Sequence, residues 1–429
     1  MMLQQQFIDW FRSASPYIHA HRGQTFVICF GGEVVQNNNF PHLIHDIALL
    51  SSLGIKLVLV HGIRPQIEQG LQAQNKKSKY VNNTRITDDI ALKCVKAACG
   101  EVRAGIESLL SMGLTNSPTT GFSICTACGN FITARPIGVR DGVDFCHTGE
   151  VRHVDITTIA HRLDEGCIVL ISPLGYSPTG ETFNLLTEEV AAAIAIGLKT
   201  TKLIYLDESL FTDNGQLIRH LTLLEAQKQP SEQLKNSVRA CQNGVQRVHL
   251  LSRHVEGALL LELFTRDGIG TLVSADPYEN IRKATIEDVG GILELIEPLE
   301  KSGILVRRSR EKLEIEIDYF VVQERDGMIV SCAVLYPFTE VAELACLAVH
   351  KDYRGMDRGG ILLAYLEQKA KQLNIKQIFV LTTRTSHWFQ ERGFKSVDLQ
   401  SLPVERQKMY NYQRKSKVFI KKIDCGKYF

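Results

Sequence analysis

A segment near the carboxyl end of the chain combines residues suited to holding a phosphorylated ligand. Residues 346–363 read as an apolar strand, a short loop that contains Arg354 and Arg358, and a helix. The amide groups and dipole at the start of a helix favour negative charge, and arginines add charge-assisted hydrogen bonds. The pattern therefore predicts a pyrophosphate site. A plain strand-to-helix connection with solvated arginines is the alternative.

Two basic clusters suggest how a small acid would be held. Arg307, Arg308 and Arg310 lie between two predicted helices, and Arg414 lies in a basic turn before the last predicted strand. Arginine binds carboxylates through two parallel hydrogen bonds, so these clusters fit an amino-acid ligand. Basic turns that only face solvent are the alternative.

The elements around these residues predict a mixed α/β domain. Helical patterns at 286–300 and 310–317 precede two strands that flank Asp326-Gly327, a strong hairpin signal. The predicted strands lie at residues 319–323, 328–336, 341–349, 377–382 and 418–420, with helices at 359–373 and 387–392 between the later ones.

The first part of the chain predicts a different α/β domain. Its apolar runs lie at residues 25–30, 55–60, 167–171 and 202–205, and amphipathic stretches lie at 43–53, 88–110 and 187–198. This alternation predicts a mostly parallel sheet with helices on both faces, a three-layer sandwich. Ligands of such sheets bind outside the carboxyl ends of the strands, where Gly31-Gly32 and His61-Gly62 follow two of the runs.

The two patterns meet where the periodicity breaks. A proline and polar residues interrupt it at residues 274–280. We therefore expect one domain over residues 1–275, a linker over 276–280 and a second domain over 281–429.

The bulk composition narrows the class of protein. The net charge of the 429 residues is only +2 and no basic tract stands out, so neither nucleic acid nor a membrane is an expected partner. The eleven cysteines are scattered, and the chain has no signal-like amino terminus, which predicts reduced thiols in a cytoplasmic protein. Cys125 and Cys128 have the spacing of half a zinc site or of a redox pair. A closed zinc site needs four ligands and no clear second pair is present, so no metal is expected.

From residue 281 onward the chain resembles the GNAT superfamily of N-acetyltransferases. That family opens its coenzyme A loop with Gln or Arg, two residues, Gly, any residue, and Gly or Ala. Arg354 and Gly359 match, and Asp357 occupies the place of the first glycine. The resemblance implies acetyl-coenzyme A as a co-substrate and no tightly bound cofactor. The pantetheine arm would lie along Cys346, Leu347, Ala348 and Val349, and the pyrophosphate would lie at Arg354, Gly355, Met356, Asp357, Arg358, Gly359 and Gly360.

The resemblance also implies direct transfer of an acetyl group to an amine. Glu343 would take the amine's proton, directly or through water, although an exposed strand carboxylate is the alternative. Backbone amides at Cys346 would polarise the thioester carbonyl, and the thiol itself would line the site. Many members use a tyrosine to protonate the departing thiolate, where this chain has Phe389. The resemblance therefore leaves that proton donor open.

Residues 1–275 resemble the amino-acid kinase fold in the stretches 31–32, 60–62, 184–191 and 262–271. Kinases of this fold place a lysine shortly before the glycine pair to hold the transferred phosphate. This chain has Cys29 and Phe30 there. Without that charge, phosphoryl transfer loses a main electrostatic support. We therefore expect this domain to be catalytically silent and regulatory.

A silent kinase-like domain followed by a GNAT domain resembles a bacterial family of amino-acid N-acetyltransferases over nearly the whole chain. The resemblance implies L-glutamate as the acceptor and the first step of arginine biosynthesis as the role. Carried over by position, Arg414 and Ser416 would contact glutamate, with either Arg307 or Arg308 on its other carboxylate.

The same resemblance implies inhibition by L-arginine bound to the kinase-like domain. Glu262 would accept the guanidinium, the backbone at Gly268 and Gly270 would receive it, and Lys202 would hold the carboxylate. The alternative is that Glu262 only caps a structural turn.

Two other functions stay open at this point. The first is a bifunctional acetyltransferase and acetylglutamate kinase, which the missing lysine disfavours. The second is a non-catalytic arginine sensor that keeps a decayed acetyltransferase module. Kinase-like domains of this kind often form hexamers, so the resemblance implies a homo-oligomer such as a hexamer.

Overall fold

The computed structural model of the chain describes residues 2–113, 124–208, 212–213, 216–229, 231–275, 279–355 and 357–423. The chain divides into two compact units, Met1–Asp276 and Pro277–Phe429, which we call the N-terminal and C-terminal units. Each has its own buried apolar core.

The N-terminal unit alternates strands and helices, as the sequence predicts. Its described strands are β1 (Thr25–Phe30), β2 (Lys56–His61), β3 (Lys79–Val81), β4 (Thr84–Ile86), β5 (Thr126–Ala127), β6 (Ile132–Pro136), β7 (Val139–Arg140), β8 (Val143–Asp144), β9 (Gly149–Val154), β10 (Ile168–Ile171), β11 (Leu174–Tyr176), β12 (Thr182–Asn184), β13 (Lys202–Asp207), β14 (Thr212–Asp213), β15 (Gln216–Leu217), β16 (His220–Thr222), β17 (Arg247–Ser252) and β18 (Thr271–Ser274). Its described helices are α1 (Met2–His21), α2 (Gly32–Val35), α3 (Phe40–Ser52), α4 (Arg64–Gln72), α5 (Asp89–Ser111), α6 (Ile156–Asp164), α7 (Thr187–Leu198), α8 (Leu223–Gln227), α9 (Glu232–Gln242) and α10 (Ala258–Phe264).

The main sheet of this unit has the order β16-β18-β17-β13-β1-β2-β10-β5. Its pairs are parallel apart from β17 with β18. Successive side chains of a strand point to opposite faces, so Phe26 and Ile28 of β1 pack into one core and Val27 and Cys29 into another. Helices lie against both cores, and the predicted three-layer sandwich with a mostly parallel sheet is confirmed.

A second sheet in this unit, β12-β11-β6-β9, is missing from the sequence-based prediction. Its strands are short and only partly buried, as in β9 and β11. Short, half-exposed strands give little apolar periodicity, so tertiary pairing decides them.

The C-terminal unit contains a sheet flanked by helices. Its described strands are β19 (Glu279–Lys283), β20 (Phe320–Arg325), β21 (Met328–Pro337), β22 (Val341–Val349), β23 (Gln377–Thr382), β24 (Lys395–Val397) and β25 (Lys417–Lys422). Its described α-helices are α11 (Val289–Lys301), α12 (Arg310–Glu316), α13 (Arg358–Gln372), α14 (Ser386–Glu391) and α15 (Val404–Lys408).

The strand order of this sheet is β19-β20-β21-β22-β23-β25-β24, with β22 and β23 parallel and the other neighbours antiparallel. The helix α13 connects the parallel pair. The predicted linker needs one correction: Glu279 and Asn280 belong to β19 and pair with β20, while residues 276–278 lie outside the described residues. These two polar residues gave no apolar signal for a strand.

Candidate active site

A cleft opens in the C-terminal unit where β22 separates from β23. Among the described residues, the ladder joins only Val341–Leu344 to the first part of β23, and it ends at the pair of Leu344 with Val380. The following part of β22 lines a cleft of about 630 Å³. The cleft is mainly bounded by β22, the loop after it, the start of α13, the end of β23 and α14.

A β-bulge bends β22 at this point. Ala345 pairs with Val334 and Ala348 with Cys332, so Cys346 and Leu347 together oppose one residue of β21. Cys346 has a φ of 52°, in the left-handed region. Bulges bend a strand and re-aim its side chains. The edge of residues 346–349 thus faces the cleft, where the sequence placed the pantetheine arm.

The loop after β22 turns sharply into α13. Asp357 is the residue that caps this helix, with a φ of 49°, and Gly355 has a φ of 91°. Asp is one of the few residues that adopt the left-handed region at small cost. The backbone can therefore keep a left-handed turn where the family has a glycine. Met356 lies outside the described residues.

The carboxylate of Asp357 has a cationic partner that the sequence analysis missed. Arg392, at the end of α14, donates from Nη2 to Asp357 Oδ1 at 2.5 Å. The same guanidinium lies 4.0 Å from the ring centroid of Trp388, and all three residues line the cleft. Arg392 thus offsets the negative charge that Asp357 brings to the loop. An acidic residue in an expected phosphate loop was the signal to look for such a partner.

The structure corrects the expected environment of the Arg358 side chain. The sequence placed it beside Arg354 as a cation available to an anion, but Arg358 is buried whereas Arg354 is exposed. Its guanidinium donates to both carboxylate oxygens of Glu279 and, at 3.0 Å, to the carbonyl oxygen of Tyr353. Burial favours the neutral acid, yet hydrogen bonds from Arg358 and Arg325 hold the pKa of Glu279 below its usual value. Arg358 therefore joins the loop to Glu279 of β19, and it also lines the cleft.

Glu343 is buried on β22 and held by an arginine from the carboxy-terminal segment. Arg406 of α15 donates from Nε and Nη2 to the two carboxylate oxygens, at 2.5 and 2.9 Å. A bidentate pair of this kind fixes both the position and the plane of the carboxylate. The alternative of an exposed strand carboxylate is wrong. Arg406 follows Glu343 by 63 residues, and no local pattern pointed to it.

The thiol of Cys346 is buried beside a second thiol. A hydrogen bond from Cys332 and the nearby charge of Arg308 lower the pKa of Cys346, although its burial works the other way. Cys346 also lines the cleft. The cleft wall thus contains a thiol close to the half-buried Arg308.

The structure distinguishes the two neighbouring arginines of the first basic cluster. Arg307 is exposed, while the buried Nε of Arg308 has no hydrogen-bond partner among the described residues. Burial works against its charge, but Cys346, Tyr336 and Glu316 nearby raise the pKa of Arg308. Arg308 as a whole is half-buried, and its Nη1 donates to the carbonyl oxygen of Val306 at 3.2 Å. Its Nε is therefore the atom that lacks an acceptor, since a buried donor is normally hydrogen-bonded.

Arg414, from the second basic cluster, is hydrogen-bonded to the chain segment that contains Arg308. Arg414 donates from Nη2 to the carbonyl oxygens of Gly303 and Ile304, which lie in the connection between α11 and α12 that also contains Arg308. Ile304 lines the cleft. Ser416, two residues later, accepts a hydrogen bond at its carbonyl oxygen from Tyr410. The fold thus brings Arg308 and Arg414 to one side of the cleft.

Phe389 offers no proton to a leaving group. It is buried and packs edge to face against Trp388 and Phe394. Among the described residues that line the cleft, the hydroxyl groups belong to Tyr353, Thr382 and Thr385.

The residues expected to receive arginine lie together in the N-terminal unit. Lys202 Nζ is 3.4 Å from His249 Nε2, and His249 Nδ1 is 2.6 Å from Glu262 Oε1. The other oxygen of Glu262 accepts the amides of Ile269 and Gly270 at 2.7 and 2.9 Å. Burial raises the pKa of Glu262, but these hydrogen bonds and the nearby His249 more than offset it and lower the value to about 2.

Position 268, next to the Glu262 carboxylate, requires a glycine. Its φ is 57°, and a Cβ built there would lie 2.4 Å from Glu262 Oε2. His249 contacts both Lys202 and Glu262. The sequence analysis did not identify this residue. The predicted residues Lys202, Glu262, Gly268 and Gly270 are thus brought to one place.

A second cleft, of about 520 Å³, lies at the carboxyl ends of β1, β2 and β13. Gly31, Gly32 and Gly62 line it, but its described lining contains no lysine. Its carboxylates are Glu33, Glu188, Asp207, Glu208 and Glu232. Burial and the charge of Asp207 raise the pKa of Glu188. Arg64, Arg85 and Arg253 also line this cleft, so its lining contains both charges.

We searched the described part of the chain for metal sites and for membrane-spanning helices. None of its groups of His, Cys, Asp and Glu has the arrangement that a metal ion needs. None of its helices is both long and apolar enough to cross a lipid bilayer.

Comparison with known proteins agrees with this architecture. Residues 24–252 match the model of the amino acid kinase family, and residues 292–394 match that of the acetyltransferase (GNAT) family. The fold and the cleft thus define a kinase-like unit joined to an N-acetyltransferase.

More narrowly, the chain belongs to the family of amino-acid acetyltransferases. It is 52% identical to the amino-acid acetyltransferase of Azotobacter vinelandii over 98% of this chain and 100% of that protein. It is 48% identical to that of Escherichia coli K12 over 97% of this chain and 98% of that protein. Among solved structures, N-acetylglutamate synthase from Neisseria gonorrhoeae with coenzyme A and L-arginine has 36% identity and a TM-score of 0.89, covering 97% of this chain and 99% of that one.

Proposed function

We propose that the chain transfers the acetyl group of acetyl-coenzyme A to the α-amino group of L-glutamate, giving N-acetyl-L-glutamate and coenzyme A. The observation that carries the proposal is a pair of arginines near the cleft: Arg308, whose buried Nε lacks a hydrogen-bond partner among the described residues, and Arg414, which is bonded to the same chain segment. Glutamate has two carboxylates, and two arginines on one side of an acetyl site fit them. The gonococcal N-acetylglutamate synthase solved with coenzyme A and N-acetyl-glutamate supports this reading, with 38% identity, a TM-score of 0.62 and coverage of 97% of this chain and 99% of that one.

In the proposed reaction the pantetheine arm lies along residues 346–349, and Arg354 with the loop amides holds the pyrophosphate. Glu343 takes a proton from the ammonium group of glutamate, directly or through water. The neutral amine attacks the thioester carbon while an amide of the bulge at Cys346 binds the developing oxyanion. The intermediate then collapses: the carbon–sulfur bond breaks, the nitrogen gives up its extra proton to solvent as the amide forms, and coenzyme A leaves as the thiolate.

The choice of acceptor is tested with a panel of amino acids. The full chain is incubated with acetyl-coenzyme A and L-glutamate, L-glutamine, L-aspartate or L-lysine, and thiol release is measured. We expect L-glutamate to give the highest kcat/KM, with L-glutamine at least about 100-fold lower because an amide leaves an arginine unpaired. A comparable rate with L-glutamine, or no thiol release with any acceptor, would reject the proposal.

The N-terminal unit, in this proposal, is catalytically silent and binds L-arginine as a feedback inhibitor of the first step of arginine biosynthesis. The second cleft, whose described lining contains no lysine, supports the loss of phosphoryl transfer. The chain formed by Lys202, His249 and Glu262 supplies a buried anion for a guanidinium and a cation for a carboxylate.

Replacing Glu262 by glutamine is expected to abolish the effect of arginine on acetyl transfer. With a pKa of about 2, Glu262 is ionised at every pH at which the enzyme would be assayed, and the amide removes that charge. Inhibition curves with L-arginine would be compared for wild type, Glu262→Gln and the control Glu256→Gln, whose exposed carboxylate pairs with His42. The idea fails if Glu262→Gln remains folded and is inhibited as strongly as wild type.

A further inference from the structure

Two cysteines of the N-terminal unit lie side by side although they are 42 residues apart in the sequence. Cys125 immediately precedes β5 and Cys167 immediately precedes β10. Their sulfur atoms are 3.1 Å apart, and Cys167 donates a hydrogen bond to Cys125. Only about 1 Å of approach separates this contact from the length of a disulfide bond. Neither thiol belongs to the acetyl cleft or to the arginine site.

The backbone holds the two residues in register. β5 and β10 are parallel neighbours that pair Thr126 with Ile168. The amide of Ile168 donates to the carbonyl oxygen of Cys125 at 2.8 Å, and that of Cys167 to Arg162 at 3.0 Å. Neighbouring strands lie about 4.8 Å apart, which is within the range of Cα separations that disulfides span. The two side chains can therefore be joined without a large backbone movement.

The two thiols have different environments. Cys125 is exposed and Cys167 is half-buried. The contact with Cys125, followed by burial, raises the pKa of Cys167 to about 11. Because Cys125 is the exposed member of the pair, it is the thiol that a dissolved disulfide reaches first, and Cys167 lies within reach of the resulting mixed disulfide. Cys125 is thus the first thiol to react and Cys167 the resolving one.

We propose that Cys125 and Cys167 are a reversible oxidation site that reacts with low-molecular-weight disulfides such as oxidised glutathione. The Cys125 thiolate attacks one sulfur of oxidised glutathione, which forms a mixed disulfide and releases one glutathione thiolate. Cys167 then loses its proton to solvent and attacks the Cys125 sulfur, which forms the protein disulfide and releases the second glutathione. The two protein thiols are oxidised and one glutathione disulfide is reduced.

The disulfide would fasten the edge of the main sheet. β5 is an edge strand, joined to β10 only through Thr126 and Ala127 among the described residues. A covalent link beside so short a ladder reduces the freedom of the unfolded chain and prevents fraying of the edge. We expect the oxidised protein to melt several degrees higher than the reduced protein.

The test uses the full chain treated with oxidised glutathione and then alkylated. Mass spectrometry of the wild type should show the loss of two hydrogen atoms and a peptide pair joined through Cys125 and Cys167, both reversed by dithiothreitol. Cys167→Ser should stop at a glutathione adduct on Cys125, whereas Cys125→Ser should form neither product at this pair. The control Cys146→Ser, which removes another exposed thiol, should form the disulfide as wild type does.

Three results would overturn the inference. The first is wild-type protein in which both thiols remain free after treatment. The second is a stable glutathione adduct on Cys125 in the wild type, which would show that Cys167 does not resolve it. The third is a disulfide of Cys125 with Cys128 in place of Cys167.

Discussion

Glu343→Gln is expected to lower kcat for acetyl transfer by about 100- to 10,000-fold, the usual contribution of a positioned general base. Glutamine has nearly the same size and can still accept one hydrogen bond from Arg406, but it cannot take a proton from the ammonium group. Steady-state kinetics with both substrates varied would show the loss in kcat, with KM for acetyl-coenzyme A changed far less. The effect should be greatest near neutral pH, where the amine of glutamate is almost entirely protonated.

A matched control separates proton transfer from loss of charge in general. Glu340 lies just before β22, is exposed and pairs with Lys376 at 2.5 Å. Exposed ion pairs contribute little to stability, so Glu340→Gln should behave like wild type. A loss in kcat of only a few fold for Glu343→Gln would show that Glu343 is not the base. Equal losses in the two variants would point to a general effect of charge.

Arg308→Ala is expected to raise KM for glutamate by about 100-fold, because losing a charge-assisted hydrogen bond to a carboxylate costs about 1.5 to 3 kcal/mol. Arg308 has a buried Nε without a hydrogen-bond partner in the described chain, and it lies near Cys346 at the cleft. KM for acetyl-coenzyme A should change little, since the coenzyme A loop lies in a different part of the unit. Kinetic measurements with each substrate varied in turn would show this difference.

Arg307→Ala is the control for this experiment, since it removes the same side chain from the adjacent, exposed position. We expect its KM for glutamate to stay within about twofold of wild type, as for most exposed surface changes. Similar increases for the two variants would indicate a diffuse attraction for acids. In that case Arg308 would not be the residue that binds a carboxylate. Thermal melting of both variants would show whether the burial of Arg308 also supports the fold.

The apolar patterns predicted most of the elements that surround the cleft and many of those in the N-terminal unit. β22, β23 and α7 have the bounds that the sequence predicts, because long buried runs and clear amphipathic periods leave few alternatives. The loop between β22 and α13 was also recognisable, since its residues are contiguous. The second sheet of the N-terminal unit and the start of β19 were missed because their strands are short or polar.

The sequence did not predict which charged residues pair with the functional side chains. Arg406 and Glu343 are 63 residues apart, Arg358 and Glu279 are 79 apart, and Arg392 and Asp357 are 35 apart. In each case the tertiary structure brings together an arginine and a carboxylate that are distant in the sequence. Sequence reasoning could list the charges but could not pair them.

The sequence by itself thus determined the kinds of domain, the loop proposed to bind coenzyme A, and the charged residues from which a site for an acidic amino acid could be built. Only the tertiary structure decided that Glu343 pairs with Arg406, that Arg358 pairs with Glu279, and that Arg308 rather than Arg307 is half-buried near Cys346. The physical reason is that secondary structure and local loops follow from neighbouring residues. The desolvation of a charge and its partner depend on which distant segments pack around it.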